Sequence, residues 1–279
     1  MTTVVEAPVP TSNYDEYRQV LREACEQSPE EWSFKSDMRY MRVLECVTQN
    51  QGIRFIEQIQ LEYPKHWATI LEMLPDLVNT NDRYGKPAGQ FFHLLGFSCS
   101  PSNFRYLSQA LRLWTYATSC VLKAMHVVEL GGGYGGLAFY VYRLAHLFPV
   151  RLDRYTMIDL PESAEIAARI SSMLDVPLHA VDGLDEQAIE RALEASDAPR
   201  MFFSAYAFSE FDGDTRGWYE HRVARKCSHG IVLWNFLNRE VDLAEKPLGG
   251  PVYQFVDQPL RIERDRPAMY PEGIRLVTY

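Results

Sequence analysis

The chain has 279 residues with a hydrophobic fraction of 47%, enough for a sizeable core and too much for disorder over most of its length. Its 28 basic residues are scattered among 37 acidic ones, a formal net charge of -9 that argues against a nucleic-acid partner and suits a neutral or small polar ligand. Cys25, Cys46, Cys99, Cys120 and Cys227 are odd in number and show no CxxC or Cys/His cluster, so they read as reduced core thiols of a cytoplasmic protein.

Residues 1–12 lack a basic start followed by an apolar stretch and read as a flexible tail. Nothing later approaches about 18 consecutive apolar residues, so no membrane span and no membrane partner are expected. Residues 13–123 form a helical, substrate-capping region. Tyr14, Tyr17, Val20, Leu21 and Ala24 make one helical stripe, Met38, Met41, Leu44 and Val47 a second, and Ile53, Ile56 and Ile59 continue it. Pro64 suits the first turn of a further helix carrying Trp67, Ile70, Leu71 and Leu74. Between Asn79 and Ser102 the pattern breaks at Gly85, Pro87, Gly89, Gly96 and Pro101, which predicts a long irregular loop available for substrate contact or as a lid. A longer helix from Asn103 to about Lys123 then leads into the second region.

Residues 124–279 alternate strand and helix. Strands are predicted at Met125–Leu130, Arg154–Ile158, Leu178–Val181, Arg200–Ala205 and Gly230–Asn235. Helices are predicted at Gly136–Phe148, Pro161–Leu174, Glu186–Ala195 and Thr215–Lys226. The implied fold is α/β, a doubly wound, mostly parallel sheet with ligands at the carboxyl ends of its strands. The tail from Gly249, ending in Ile274–Tyr279, suits an antiparallel pair at the sheet edge.

The stretch Val127–Gly136 is an apolar run that rises into a glycine cluster and opens into a helix, a turn that binds nucleotide-like cofactors. Gly131, Gly133 and Gly136 satisfy the dinucleotide GxGxxG; Gly131, Gly133 and Gly135 satisfy the GxGxG of class I S-adenosylmethionine-dependent methyltransferases. The surroundings favour the second. Glu129, two residues before the first glycine, resembles the acid that opens the methyltransferase motif, near the methionine amino end of the cofactor. Asp159 falls 28 residues after Gly131, room for one helix and a return strand, and can accept both ribose hydroxyls. Asp182 ends the next strand beside the adenine, with Gly183 leaving room for the ring. The plainer account makes all three acids strand-end caps, but acids are seldom buried without a partner.

The chain further resembles the sugar O-methyltransferase family of bacteria. The match is carried by Asn81-Asp82-Arg83-Tyr84-Gly85-Lys86-Pro87, by Glu129 to Ala138, by Ile158-Asp159-Leu160-Pro161-Glu162, and by Ser204-Ala205-Tyr206-Ala207-Phe208-Ser209-Glu210 with Trp234-Asn235. The resemblance implies a class I, Rossmann-like fold, S-adenosyl-L-methionine as cofactor, and a cofactor site that also takes in Tyr134, Leu160 and Ser204.

Methyl transfer requires an acceptor oxygen aligned with the methyl group, and a base assists by removing its proton. The acceptor is expected over the ends of the fourth and fifth strands, beside Tyr206, Ser209, Glu210, Trp234 and Asn235. Glu210, near an apolar wall of Phe208, Phe211 and Trp234, is the first candidate base; the alternative is a helix-start charge or a partner of Arg216. Small-molecule O-methyltransferases with the Asp-Leu-Pro element often use a histidine after the fourth strand, and this chain has none there. His93 is the alternative base if the long loop folds over the site, and otherwise a satisfied core group. Asn81, Asp82 and Tyr84 are candidates for sugar hydroxyls, although Asn-Asp also starts turns. His146, His179, His221 and His229 show no metal-ligand spacing, so no metal is expected.

The resulting expectation is a cytoplasmic O-methyltransferase acting on a hydroxyl of a sugar or glycosylated small molecule, with a homodimer allowed. The alternatives are a polyketide, peptide or aromatic natural product as acceptor, or a non-catalytic S-adenosylmethionine-binding protein.

Overall fold

The computed structural model describes residues 14–235, 254–267 and 274–279. The expected tail over residues 1–12 and the first part of the expected C-terminal tail lie outside them.

The helical block follows the sequence stripes. Helix α1 (Asp15–Cys25) buries Tyr17, Val20, Leu21 and Ala24. The second stripe does not extend as a helix: Asp37 accepts the Arg39 amide and starts a single turn, α2 (Met38–Met41), and Leu44 and Val47 follow it in coil. A capping box of Thr48 and Gln51 starts α3 (Gln49–Glu62), and α4 (Pro64–Asn81) carries Pro64 in its first turn. The long loop expected after it is mostly ordered, because β1 (Gln90–Phe92) and β2 (Phe97–Cys99) pair as an antiparallel hairpin. Helix α5 (Ser102–Ser119) is buried at every one of its first ten residues, so its polar side faces protein as well.

Among the described residues, seven strands form the main sheet: β3 (Ala124–Leu130), β4 (Arg151–Asp159), β5 (Leu178–Asp182), β6 (Arg200–Ala205), β7 (His229–Asn235), β8 (Arg261–Arg264) and β9 (Ile274–Thr278). Their order is β5-β4-β3-β6-β7-β9-β8. The first five are mutually parallel, and β9 runs antiparallel between β7 and β8, giving the edge pair that the sequence predicted. Between them run α6 (Gly136–Leu144), α7 (Pro161–Met173), α8 (Glu186–Glu194), α9 (Ala207–Glu210) and α10 (Gly213–Arg222). This is the expected doubly wound, mostly parallel α/β arrangement. The order reverses between β3 and β6, and the crevice at their carboxyl ends is where such sheets bind ligands.

Successive residues of the central strands enter different cores, as the period of two requires. Val127, Met157 and Phe203 pack with Trp114, Ile59 and Leu74 of the helical block. Val128, Ile158 and Phe202 pack with Ile189, Tyr219, Trp234 and Val277 on the other face. All five cysteines are free, but only Cys99 and Cys227 are buried; Cys46 is exposed, which corrects the reading of all five as core thiols. Among the described residues, no helix is long and apolar enough to cross a membrane, and no cluster of three potential metal ligands occurs.

Candidate functional site

The crevice holds a cavity framed by the glycine turn, the ends of β3, β4 and β6, and α1 and α5 above them. Gly131 and Gly133 have φ of 78° and 63°, and side chains there would run into Ala207 and Leu44. The turn therefore packs its bare backbone against two elements at once.

Glu129 and Asp159 both line the cavity. The Glu129 carboxylate accepts the Tyr155 hydroxyl at 2.8 Å. Burial, with the Asp159 charge adding to it, pushes its carboxyl up to about 8 against that hydrogen bond. Asp159 accepts the Gly133 amide at 2.6 Å and the Leu160 amide at 2.7 Å. Burial raises it to about 6 even so. The Ser163 hydroxyl is a further hydrogen-bonding neighbour of this carboxylate, which with two oxygens and about four lone pairs retains accepting capacity for a ligand hydroxyl.

Asp182 pairs in register with Asp159 but does not line this cavity; its carboxylate caps the Leu184 amide at 2.8 Å. Nor is there the room expected at Gly183: a Cβ there would lie 2.7 Å from the Tyr219 hydroxyl, which donates to the Gly183 carbonyl. Tyr219 and Phe211, stacked at 5.3 Å, line that end of the cavity instead. Leu160 lines it as well. Ser204 is a strut, its hydroxyl donating to the Leu130 carbonyl at 2.9 Å and accepting the Phe208 amide at 3.1 Å, which ties β3 to β6.

Tyr206 follows β6 with φ 76° and ψ -47°, a strained backbone for a residue with a side chain. It lines the cavity with Glu210. The Glu210 carboxylate accepts the Tyr14 hydroxyl at 3.1 Å and the Asn235 amide at 2.6 Å. Of the expected apolar wall, only Phe211 lines the cavity. Phe208 and Trp234 turn to the opposite core, edge to face at 6.0 Å, because strand and turn geometry alternates their direction.

The remaining candidates lie elsewhere. His93 is exposed on the hairpin against Phe91, away from the cavity, because the loop folds onto itself and not over the site. Asn81 is buried and donates to the Tyr134 hydroxyl at 3.0 Å and the Asn103 carbonyl oxygen at 2.8 Å. Asp82 accepts the Ser100 amide at 2.7 Å and the Asn103 amide at 2.9 Å. The Lys35 ammonium caps the Tyr134 ring at 3.7 Å and donates to the Asn81 carbonyl. Tyr84 packs edge-on against Trp32. The Asn81–Tyr84 segment thus braces the glycine turn from beneath through Tyr134, and none of its residues lines the cavity.

Sequence reasoning missed Tyr14, Tyr17, Leu44, Arg105, Tyr106 and Gln109, all of which line the cavity. Arg105 and Gln109 stand four residues apart on α5, opposite its apolar stripe. That side reads as solvent-facing until the burial of the whole helix is known.

No family model and no curated protein matches the chain. Solved structures do. A low-resolution structure of WbdD matches with 12% identity and a TM-score of 0.42, over 62% of this chain and 34% of that one. An S-adenosylmethionine-dependent methyltransferase from Clostridium acetobutylicum matches with 13% identity and a TM-score of 0.33, over 58% of each chain. A structure of MtNAS in complex with MTA and tNA matches with 12% identity and a TM-score of 0.39, over 97% of this chain and 90% of that one. The chain thus spans about a third of WbdD and under two thirds of the Clostridium protein.

Proposed function

We propose that the chain is a cytoplasmic S-adenosylmethionine-dependent O-methyltransferase whose acceptor is a hydroxyl of a sugar or a glycosylated small molecule. The observation that carries this reading is the set of Glu129, the glycine turn and Asp159 along one crevice edge, with Glu210 on the same cavity wall. The donor set fits the cofactor: a buried carboxylate for an ammonium group at Glu129, and a carboxylate with remaining accepting capacity for the ribose hydroxyls at Asp159. S-adenosylmethionine, when bound, supplies an electrophilic methyl group. Glu210 receives the acceptor proton on its carboxylate, held in place by Tyr14 and Asn235. Tyr206 shapes the acceptor end, and the helical block excludes water above it. The sugar assignment is supported by the family resemblance over residues 80 to 236.

Calorimetry with S-adenosylhomocysteine tests the cofactor; binding of NAD instead, or of neither, overturns the reading. Asp159→Ala should weaken that binding by about 2 to 4 kcal/mol, the loss of paired charge-assisted hydrogen bonds. Glu210→Gln should lower turnover about a hundredfold at neutral pH with S-adenosylhomocysteine affinity retained. Full activity in that variant removes Glu210 as the base.

A further inference from the structure

The cavity wall carries three acids, Glu129, Asp159 and Glu210, and one cation, Arg105. Arg105 is 6% exposed, and an arginine stays charged at any working pH. Its guanidinium donates to the Leu44 carbonyl at 2.6 Å and contacts the Tyr106 hydroxyl at 3.5 Å and the Cys46 sulfur at 3.9 Å, all neutral groups. It forms no ion pair among the described residues. Glu45 acts on Arg105 electrostatically but forms neither a hydrogen bond nor an ion pair with it; one of its oxygens accepts the Ser100 hydroxyl at 2.7 Å and the other is buried without a hydrogen-bond partner. A buried cation with only neutral partners carries a desolvation penalty that a ligand anion would offset. One helical turn on, Gln109 is 4% exposed, lines the same cavity, and its side chain makes no hydrogen bond among the described residues. Arg105 and Gln109 stack on one face of α5, so a single bound group can reach both.

We propose that the acceptor is an anionic sugar whose oxyanion is held by Arg105 and Gln109. This rests on the methyltransferase reading and names the substrate class within it. Tyr206, which leaves the end of β6 on the acceptor side, is among the groups around the Arg105 guanidinium, together with Tyr106, Cys46 and Glu45. The Asp159 and Glu210 carboxylates disfavour an anion at the other cavity walls, so the ligand is oriented with its charge at α5 and its hydroxyl toward Glu210. The net charge of -9 describes the whole chain, and the cation that selects the ligand is local and buried. The oxyanion comes from a sugar-acid carboxylate or from the phosphate of a nucleotide-linked sugar.

The test compares methyl transfer to glucuronate, UDP-glucose and glucose in the wild type, Arg105→Met, Arg105→Lys and Gln109→Leu, alongside calorimetry with S-adenosylhomocysteine and 5'-methylthioadenosine. The wild type should favour glucuronate or UDP-glucose over glucose by about tenfold or more. Preference for the first assigns the oxyanion to a carboxylate, and for the second to a phosphate. Arg105→Met should abolish the preference through a raised KM, Arg105→Lys should retain part of it, and Gln109→Leu should weaken it by a smaller factor. S-adenosylhomocysteine affinity should stay within about threefold throughout. Equal use of glucose, or no turnover of either anionic sugar, overturns the proposal. So does a loss of S-adenosylhomocysteine affinity in Arg105→Met with 5'-methylthioadenosine affinity unchanged, which would give the cation to the cofactor carboxylate. A wild type that binds neither nucleoside removes the methyltransferase reading itself.

Discussion

Glu129 and Asp159 are acids that folding pushes toward neutrality, Glu129 to about 8 and Asp159 to about 6. In both, the folded state holds its proton more tightly than the unfolded chain, so stability is full below the ordinary carboxyl range and falls as pH rises through the shifted values. On the proposed reading the ligand reverses the preference, because its ammonium group beside Glu129 would favour the ionised form. S-adenosylhomocysteine affinity should therefore rise between pH 6 and about 8, the window set by the two shifts, and Glu129→Gln should flatten that rise. Calorimetry across that range checks it, and an equally steep profile in the variant would clear Glu129 of the role. Glu129→Gln should also narrow the difference in thermal stability between pH 5 and pH 8 by about 1 to 3 kcal/mol.

Helix α1 is fastened to the sheet half by charge. Arg18 and Arg22 meet Glu162 at 3.0 and 2.8 Å, and Arg169 donates to the Cys25 and Gln27 carbonyls just past the helix end. Burial works to raise the Glu162 carboxyl, but the two arginines more than offset it and hold it below the ordinary value. That contribution is present above the carboxyl range and lost in acid. The same helix start presents Tyr14 to Glu210. Glu162→Gln should loosen α1 by about 1 to 2 kcal/mol, a figure reduced for the partial exposure of Arg22. Hydrogen exchange over Asp15–Cys25 should then accelerate and S-adenosylhomocysteine bind more weakly. Unchanged exchange would show that packing of Tyr17, Val20 and Leu21 suffices to hold the helix.

The helical block and one face of the sheet share a single apolar cluster, from Leu21 and Ile59 through Trp114 to Val127 and Phe203. Separating them would expose both sides of that cluster, so the two regions should unfold together. Trp32, Trp67 and Trp114 report on the helical block and Trp218 and Trp234 on the sheet half. Tryptophan fluorescence and far-UV circular dichroism should give coincident thermal transitions. Two separated transitions would mean that the halves fold independently.

The βα alternation, the strand bounds within a few residues, the glycine turn, and the placement of Asp159 at the end of β4 and of Tyr206 and Glu210 in the segment after β6 were all legible in the sequence. Local physics sets them: buried parallel strands read as apolar runs, helices as stripes of period 3.6, and tight turns as glycine. Residues far apart in the chain were not legible in this way. Asn81 and Asp82 turn beneath the glycine turn because Tyr134, Asn103 and Lys35 await them there. Phe208 and Trp234 leave the site for the opposite core, and His93 stays outside it on its own hairpin. Tyr14, Leu44, Arg105 and Gln109 reach the cavity from three separate elements. No period in a sequence states which element will cover which face, so the polar side of α5 became part of the cavity wall only when the helical block packed over the crevice.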